Sequence, residues 1–107
     1  MSSGAASRRK GRTGEAELRS IFHTAGATVH AGQRNLVGEC DLLVTIRGSS
    51  ERLHVECKRQ ERLRLPEWLA QAAKDASPDA APVVVFRQSH GRWYAALALD
   101  DLLRLCG

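Results

Sequence analysis

Two neighbouring segments in the middle of the chain alternate apolar and polar residues with a period of two. From Cys40 to Arg47, every second side chain is apolar, while Asp41 points to the opposite side. From Leu53 to Lys58, an apolar side alternates with a side that carries His54, Glu56 and Lys58. The turn-forming run Gly48-Ser49-Ser50 joins the two segments. The pattern predicts an antiparallel hairpin with one charged face.

The remaining periodicities predict further helices and strands on both sides of this hairpin. In chain order, they indicate a helix from about Thr13 to Ala25 ended by Gly26, a strand from Thr28 to Ala31, a loop from Gly32 to Gly38, the hairpin, a helix from Pro66 to Ala76, a strand from Val83 to Arg87, a strand from Trp93 to Leu97, and a short helix capped by Asp100. The order α-β-β-β-α-β-β-α predicts an α/β fold. We expect residues 1–10 to form a flexible basic arm and residues 11–107 to form one domain.

Charge and cysteine content narrow the classes of protein to which the chain can belong. Its formal net charge of +4 favours a polyanionic partner. No apolar run reaches membrane-spanning length and no secretory segment follows the N terminus, so we expect no membrane association and an intracellular, cytoplasmic location. The cysteines Cys40, Cys57 and Cys106 show no zinc-site spacing and are predicted to be free, buried thiols.

The charged face of the hairpin is the candidate catalytic centre. Glu56 and Lys58 are two residues apart on one strand, so they project from the same face, and a hairpin can bring Asp41 beside them. Two facing carboxylates repel each other, and a hard divalent cation such as Mg²⁺ relieves that repulsion. A lysine at this position could orient or deprotonate a water, or neutralise charge that develops on a phosphate. The alternative is an edge strand whose charged face is merely solvated.

The chain resembles the archaeal Holliday junction resolvases, a family of the PD-(D/E)xK nuclease superfamily. The resemblance covers residues 9–103 in matching order, and its segments read RKGRTGEAEL (9–18), DLLV (41–44), VECK (55–58), PVVVF (82–86) and GRWY (91–94). It implies a restriction-endonuclease-like core, a mixed β-sheet flanked by helices. It also implies a magnesium-dependent homodimer that cuts four-way DNA junctions during recombination and repair. By position, it assigns metal binding to Glu15, Asp41 and Glu56 and the catalytic lysine to Lys58. The alternative for Glu15 is an acid that stabilises the N terminus of its helix.

Four positions depart from the resolvase pattern or stand beside it. Arg34 and Asn35 lie in a loop where the resolvases carry a small arginine loop, and both could contact phosphate. Glu39 precedes Asp41 by two residues and is an extra candidate ligand, with a solvated charge as the alternative. Gln71 resembles the glutamine that other branches of the superfamily carry near the active site, including virus-type replication-repair nucleases. An ordinary polar helix position is the alternative for Gln71.

Basic side chains around the predicted site could follow a DNA backbone, because phosphate contacts supply affinity without reading sequence. The predicted DNA-binding residues are Arg9, Lys10, Arg12, Arg34, Asn35, Arg59, Arg62 and Arg64. A solvated charged surface is the alternative for any one of them. Trp68 and Trp93 are predicted to be core or dimer-interface residues. The histidines show no metal-ligand spacing, although His54 shares the face of Glu56.

The sequence therefore predicts a metal-dependent endodeoxyribonuclease that uses Mg²⁺, with Mn²⁺ as a substitute. Its expected partner is DNA, most specifically branched DNA, and its expected state is a homodimer, since two-fold protein symmetry matches two symmetric cuts. A prokaryote or a phage is the expected source. The rivals are another structure-specific or single-strand nuclease on the same scaffold, a non-catalytic DNA-binding module, and a small interaction protein.

Overall fold

The computed structural model describes the backbone of residues 3–34 and 39–107 and the side chains of residues 14–30 and 41–107. The elements in chain order are α1 (Ser3–Thr24), β1 (Thr28–Arg34), β2 (Glu39–Thr45), β3 (Arg52–Arg59), α2 (Leu65–Asp75), β4 (Ala80–Arg87), β5 (Tyr94–Ala96) and α3 (Leu99–Cys106). This order confirms the predicted α-β-β-β-α-β-β-α arrangement and the α/β class. None of the described helices is both long enough and apolar enough to cross a membrane.

The strands form one mixed sheet in the order β1-β2-β3-β4-β5. Strands β1, β2 and β3 pair antiparallel, β3 and β4 pair parallel, and β4 and β5 pair antiparallel. A parallel pair needs a crossover connection, and α2 supplies it between β3 and β4. The predicted hairpin is the β2–β3 pair, in which Asp41 lies directly opposite Glu56. The mixed sheet flanked by helices is thus confirmed.

The two faces of the sheet carry different cores, because neighbouring strand residues point to opposite sides. On one face, Leu18 of α1 packs against apolar side chains of the three central strands: Leu42, Val44, Val55, Cys57, Val83 and Val85. On the other face, Trp68 and Ala72 of α2 pack on Val84, with Phe86 at the margin. The charged face of β3 therefore lies on the side of the sheet that α2 covers. Trp93 packs at the edge of the first core, so both tryptophans contribute to packing within the chain.

The first helix ends where predicted and begins earlier than predicted. Gly26 has a φ of +87°, its N–H donates to the carbonyl of His23, and the N–H of Ala27 donates to that of Phe22. This left-handed ending satisfies the last carbonyls of the helix, and glycine adopts it without a steric penalty. At the other end, α1 begins at Ser3 rather than near Thr13. The backbone from Ser3 onward is thus helical through most of the segment predicted as a flexible arm, where Ala, Arg and Lys favour a helix.

Three local predictions are wrong. The thiol of Cys106 is exposed rather than buried, because it lies at the end of α3, a helix without buried residues. Strand β1 continues to Arg34, because the backbone of residues 32–34 pairs with residues 40–42 of β2, so the predicted loop from Gly32 begins too early. Asp100 does not cap α3: the N-cap position is Ala98, whose carbonyl accepts the N–H of Leu102. Asp100 instead lies in the first turn, where a negative charge also stabilises a helix.

Candidate active site

The antiparallel pairing of β2 and β3 brings the predicted catalytic residues together. Asp41 and Glu56 are directly opposite, and Lys58 follows two residues later on the same face of β3. Glu56 and Lys58 are 2% and 3% exposed, although charged groups are rarely so buried unless they are paired or serve a function. This burial contradicts the alternative of a solvated charged face. Glu39 pairs with Lys58 across the same ladder, but its side chain lies outside the described residues.

Lys58 is held between the carboxylate of Glu56 and an aromatic ring of α2. Its Nζ lies 3.9 Å from Oε2 of Glu56 and 5.9 Å from the centroid of the Trp68 ring. A cation over the face of a tryptophan is attracted by the ring, and more strongly when water is excluded. The α2 helix thus fixes the position of the ammonium group as well as covering the sheet.

A third ligand-type side chain, His54, joins the two carboxylates. His54 precedes Glu56 by two residues on β3, and its Nε2 lies 3.5 Å from Oε1 of Glu56. One ligand atom each from Asp41, His54 and Glu56 lie within 4.8 Å of one another. Among the described residues, this is the group of histidine, cysteine and carboxylate side chains that could hold a metal ion. The shared face of His54 and Glu56 was the sequence signal for it.

The electrostatics of the group are those of two carboxylates crowded together. Burial, together with hydrogen bonding to Glu56 and charge repulsion from it, raises the pKa of Asp41 to about 7. Polar contact with the Glu56 carboxylate raises the pKa of His54, and the negative charge of Asp41 adds to that rise. Without a cation, Asp41 and His54 therefore favour their protonated forms, and a metal ion would bind them in competition with protons.

Helix α2 adds Asp75, which the sequence pattern did not identify. The negative charge of Asp75 contributes to the raised pKa of both Asp41 and His54. Nε2 of Gln71 donates a hydrogen bond to Oδ2 of Asp75 at 2.8 Å. The predicted glutamine is therefore on the helix that covers the site, and the contact seen for it is with this acid. The available signal was the i, i+4 spacing, which puts Gln71 and Asp75 on one face of a helix.

The structure does not bring Glu15 into this group. Helix α1 packs on the opposite face of the sheet through Leu18, and Oε2 of Glu15 forms a 2.9 Å ion pair with Arg19 one turn later. The metal-ligand group of the described residues does not include Glu15. A metal-binding role for Glu15 stays a prediction from the resemblance.

The predicted DNA-binding residues fall into three groups. The side chains of Arg9, Lys10, Arg12 and Arg34, and all of Asn35, lie outside the described residues. Arg62 and Arg64 are exposed in the connection that leads into α2. Arg59 projects to the α1 face, where its Nη1 lies 3.8 Å from Oε1 of Glu17. DNA binding by these residues stays a prediction.

Glu17 is the centre of a partly buried polar cluster that the sequence did not reveal. Its Oε2 accepts hydrogen bonds from Nη1 of Arg87 at 2.7 Å and from Nε1 of Trp93 at 3.2 Å. The Arg87 guanidinium also lies 5.7 Å from the Trp93 ring centroid. These contacts join α1 to β4 and to the segment before β5, so the cluster positions the helix on the sheet.

Comparison with known proteins agrees with the geometry of the site. A family model described as "Phage putative PDDEXK endonuclease" matches residues 6–105. The match supports the PD-(D/E)xK superfamily and carries no support for the archaeal Holliday junction resolvases in particular. No curated protein matches the chain.

Proposed function

Because the chain belongs to the family of phage putative PDDEXK endonucleases, we propose that it hydrolyses phosphodiester bonds in DNA with the help of a divalent metal ion. The observation that carries the proposal is the pairing of Asp41 with Glu56 across β2 and β3, with Lys58 on the same buried face. These residues supply the aspartate, the acid and the lysine after which the superfamily is named.

The donor chemistry of the site fits a divalent cation. Oε1 of Glu56 is buried without a hydrogen-bond partner, and the neighbouring Asp41 has a raised pKa because it is partly buried and lies beside Glu56. Both are oxygen ligands of the kind that Mg²⁺ takes, so we propose Asp41 and Glu56 as its ligands and Mg²⁺ as the physiological ion. A bound divalent ion polarises a phosphate oxygen and lowers the pKa of a water.

Lys58 supplies the positive charge that the protein itself contributes. Its Nζ, held by Glu56 and the Trp68 ring, lies on the same face as the ligands. In that position it can orient the attacking water, or stabilise negative charge that develops on the phosphate oxygens. The protein's share of catalysis is therefore the placement of the phosphate between a fixed ammonium group and the two carboxylates.

We propose branched DNA, and four-way junctions in particular, as the substrate. The sequence resemblance to the junction resolvases supports this choice, as do the predicted phosphate contacts of Arg62 and Arg64, which are exposed beside α2. Contacts to phosphates position a nucleic acid without reading its bases, which suits recognition of DNA shape.

We also propose that the enzyme is a homodimer that pairs through α3. Leu99, Leu102 and Leu103 are exposed, the first by 68%, and α3 contributes no buried residue to the described part of the chain. A second copy packed antiparallel would cover this stripe and bring the acidic first turn of one helix beside Arg104 in the last turn of the other. Sedimentation analysis is expected to show a dimer for the wild type and a monomer for the L99S/L103S variant. A monomeric wild type would contradict the pairing.

The function is tested by cleavage of a labelled four-way junction beside duplex, flap and single-stranded controls, with Mg²⁺ and with EDTA. The variants are Asp41→Asn, Glu56→Gln and Lys58→Met, and the matched controls are Glu67→Gln and Lys74→Met, which alter exposed residues of α2. We expect paired, symmetric nicks that EDTA and the three site variants abolish and that the controls retain. Equal cutting of the control substrates would remove the junction preference. Junction binding without any cutting would refute catalysis and indicate a DNA-binding module.

A further inference from the structure

The side chain of His54 lies beside the two carboxylates of the candidate site. It stands two residues before Glu56 on the same face of β3, and its side chain is 15% exposed. One ring nitrogen of His54 and one oxygen each of Asp41 and Glu56 lie within 4.8 Å of one another. Three donors from two strands therefore converge on one point of the sheet.

Both atoms that face each other at this point lack hydrogen bonds. Nε2 of His54 and Oε1 of Glu56 are buried, have no hydrogen-bond partner, and lie 3.5 Å apart. A buried polar atom without a partner destabilises a fold by about 1–3 kcal/mol, so natural proteins rarely keep two side by side. A histidine that served only packing or only Glu56 would be expected to make a short, aligned hydrogen bond. A cation shared by the two lone pairs satisfies both atoms.

We propose that His54 is a third protein ligand of the metal ion held by Asp41 and Glu56, and that its imidazole makes the site bind Mn²⁺ more tightly than Mg²⁺. The inference rests on the metal site of the proposed function and extends it in two respects. It adds a nitrogen to the two carboxylate ligands. It also adds a difference in affinity, with Mn²⁺ bound more tightly than the Mg²⁺ that the proposed function assigns as the physiological ion.

The selectivity follows from the nature of the donors. Mg²⁺ is a hard ion that holds its waters strongly and prefers oxygen, so an imidazole adds little to its binding. Mn²⁺ shares the octahedral oxygen chemistry of Mg²⁺, but it belongs to the transition series whose divalent ions accept nitrogen ligands. Two carboxylates with one imidazole therefore favour Mn²⁺, whereas two carboxylates alone would not discriminate to the same extent.

The rest of the site is compatible with this assignment. The charge of Asp75 reaches both Asp41 and His54 and increases the negative potential at the point where the ligands converge. Lys58 contacts Oε2 of Glu56, the other oxygen of the carboxylate, and leaves Oε1 on the side of His54. Oε2 of Glu56 thus contacts the catalytic lysine, and Oε1 is left to bind the ion.

Electron spin echo spectroscopy of bound Mn²⁺ tests the ligand directly, because the ion reports nitrogen nuclei attached to it. The wild-type protein is prepared with natural histidine and with ¹⁵N-labelled histidine, which needs no substitution and so carries no risk of misfolding. We expect ¹⁴N modulation that changes on labelling. The modulation should be absent in His54→Ala and retained in His23→Ala, a control at an exposed histidine of α1.

Calorimetric titration with each ion tests the selectivity. The His54→Ala variant is expected to bind Mn²⁺ about 10–100-fold more weakly, while its Mg²⁺ affinity changes less, so that the ratio of the two affinities falls. His54→Gln, which offers an amide oxygen in place of the nitrogen, should lower the same ratio. Manganese bound without a histidine signal would refute His54 as a ligand and leave the carboxylate site intact. Absence of any Mn²⁺ binding would refute the metal site of the proposed function itself. An unchanged affinity ratio in His54→Gln would refute the selectivity alone.

Discussion

Replacing Asp41 by asparagine is expected to stabilise the metal-free protein at pH 8 and to leave its stability unchanged near pH 4. The pKa of Asp41 rises from 3.8 to about 7 in the folded chain. Between these values, the folded state keeps a proton that the unfolded state loses, so the free energy of unfolding falls as the pH rises from about 4 to 7. Asparagine cannot ionise, and the variant therefore lacks this decline.

The magnitude follows from the same two pKa values. Their difference corresponds to about 4 kcal/mol above pH 7. Asp41 is only half-buried, and solvent screens its interaction with Glu56, so we expect about 1–2 kcal/mol. Below pH 4, Asp41 is protonated in both states, and the neutral acid and the amide should behave alike.

Urea unfolding in EDTA across pH 4 to 8.5 measures the difference between the wild type and Asp41→Asn. Asp79→Asn is the matched control, because Asp79 is exposed and its hydrogen bond from Ser77 lowers its pKa, so its removal should not stabilise the fold at pH 8. Adding Mn²⁺ should stabilise the wild type and not Asp41→Asn, since a ligand stabilises only the state that binds it. A variant that is less stable than the wild type at pH 8, or a difference that does not vary with pH, would refute the reasoning.

Three further changes test other parts of the structure. Glu17→Gln leaves the guanidinium of Arg87 without its carboxylate, so urea unfolding should show a free energy of unfolding lower by about 1.5–3 kcal/mol. The affinity for Mn²⁺ should not change, and loss of metal binding would contradict a purely structural role for Glu17. Lys58→Met keeps the packing under α2, so calorimetry should still show metal binding, while the rate of DNA cleavage falls by at least about 100-fold. Cleavage at a near-normal rate would contradict a catalytic role for Lys58. Gly26→Ala forces a φ of +87° on alanine, so the free energy of unfolding should fall by about 1–2 kcal/mol and the Tm should be lower. An unchanged Tm would show that the end of α1 can rearrange.

The hairpin and its catalytic pair could be predicted because they depend on local information. The alternation on β2 and β3 places Asp41 and Glu56 on the same face, and a short turn sets the register that makes them direct partners. The end of α1 was predictable for the same reason, since only a residue tolerant of positive φ fits the position of Gly26. Such features are decided within a few residues along the chain.

The place of Glu15 could not be predicted in this way, because it depends on which helix covers which face. The alternation of apolar and polar residues on β3 shows that Val55 and Cys57 lie on one side and Glu56 on the other. It does not show that Leu18 of α1 packs against the apolar side. The same packing brings α2 over the charged side and so brings Asp75 towards the site. Both facts arise from contacts between elements far apart in sequence, which a local period does not encode.

The burial of the charged pair favours a functional site over a structural one. Glu56 and Lys58 lie on the central strand of the sheet, covered by α2, and an apolar pair in their place would pack against Val84 and Trp68 without any loss of hydration. Replacing a buried ion pair by apolar side chains of similar volume is often neutral or stabilising, so the fold itself gains little from keeping them. The crowding of Asp41 against Glu56 adds a further destabilisation at neutral pH that a bound cation would remove. A chain that retains Asp41, Glu56 and Lys58 is therefore less stable without metal, as expected of a site that its bound ion stabilises.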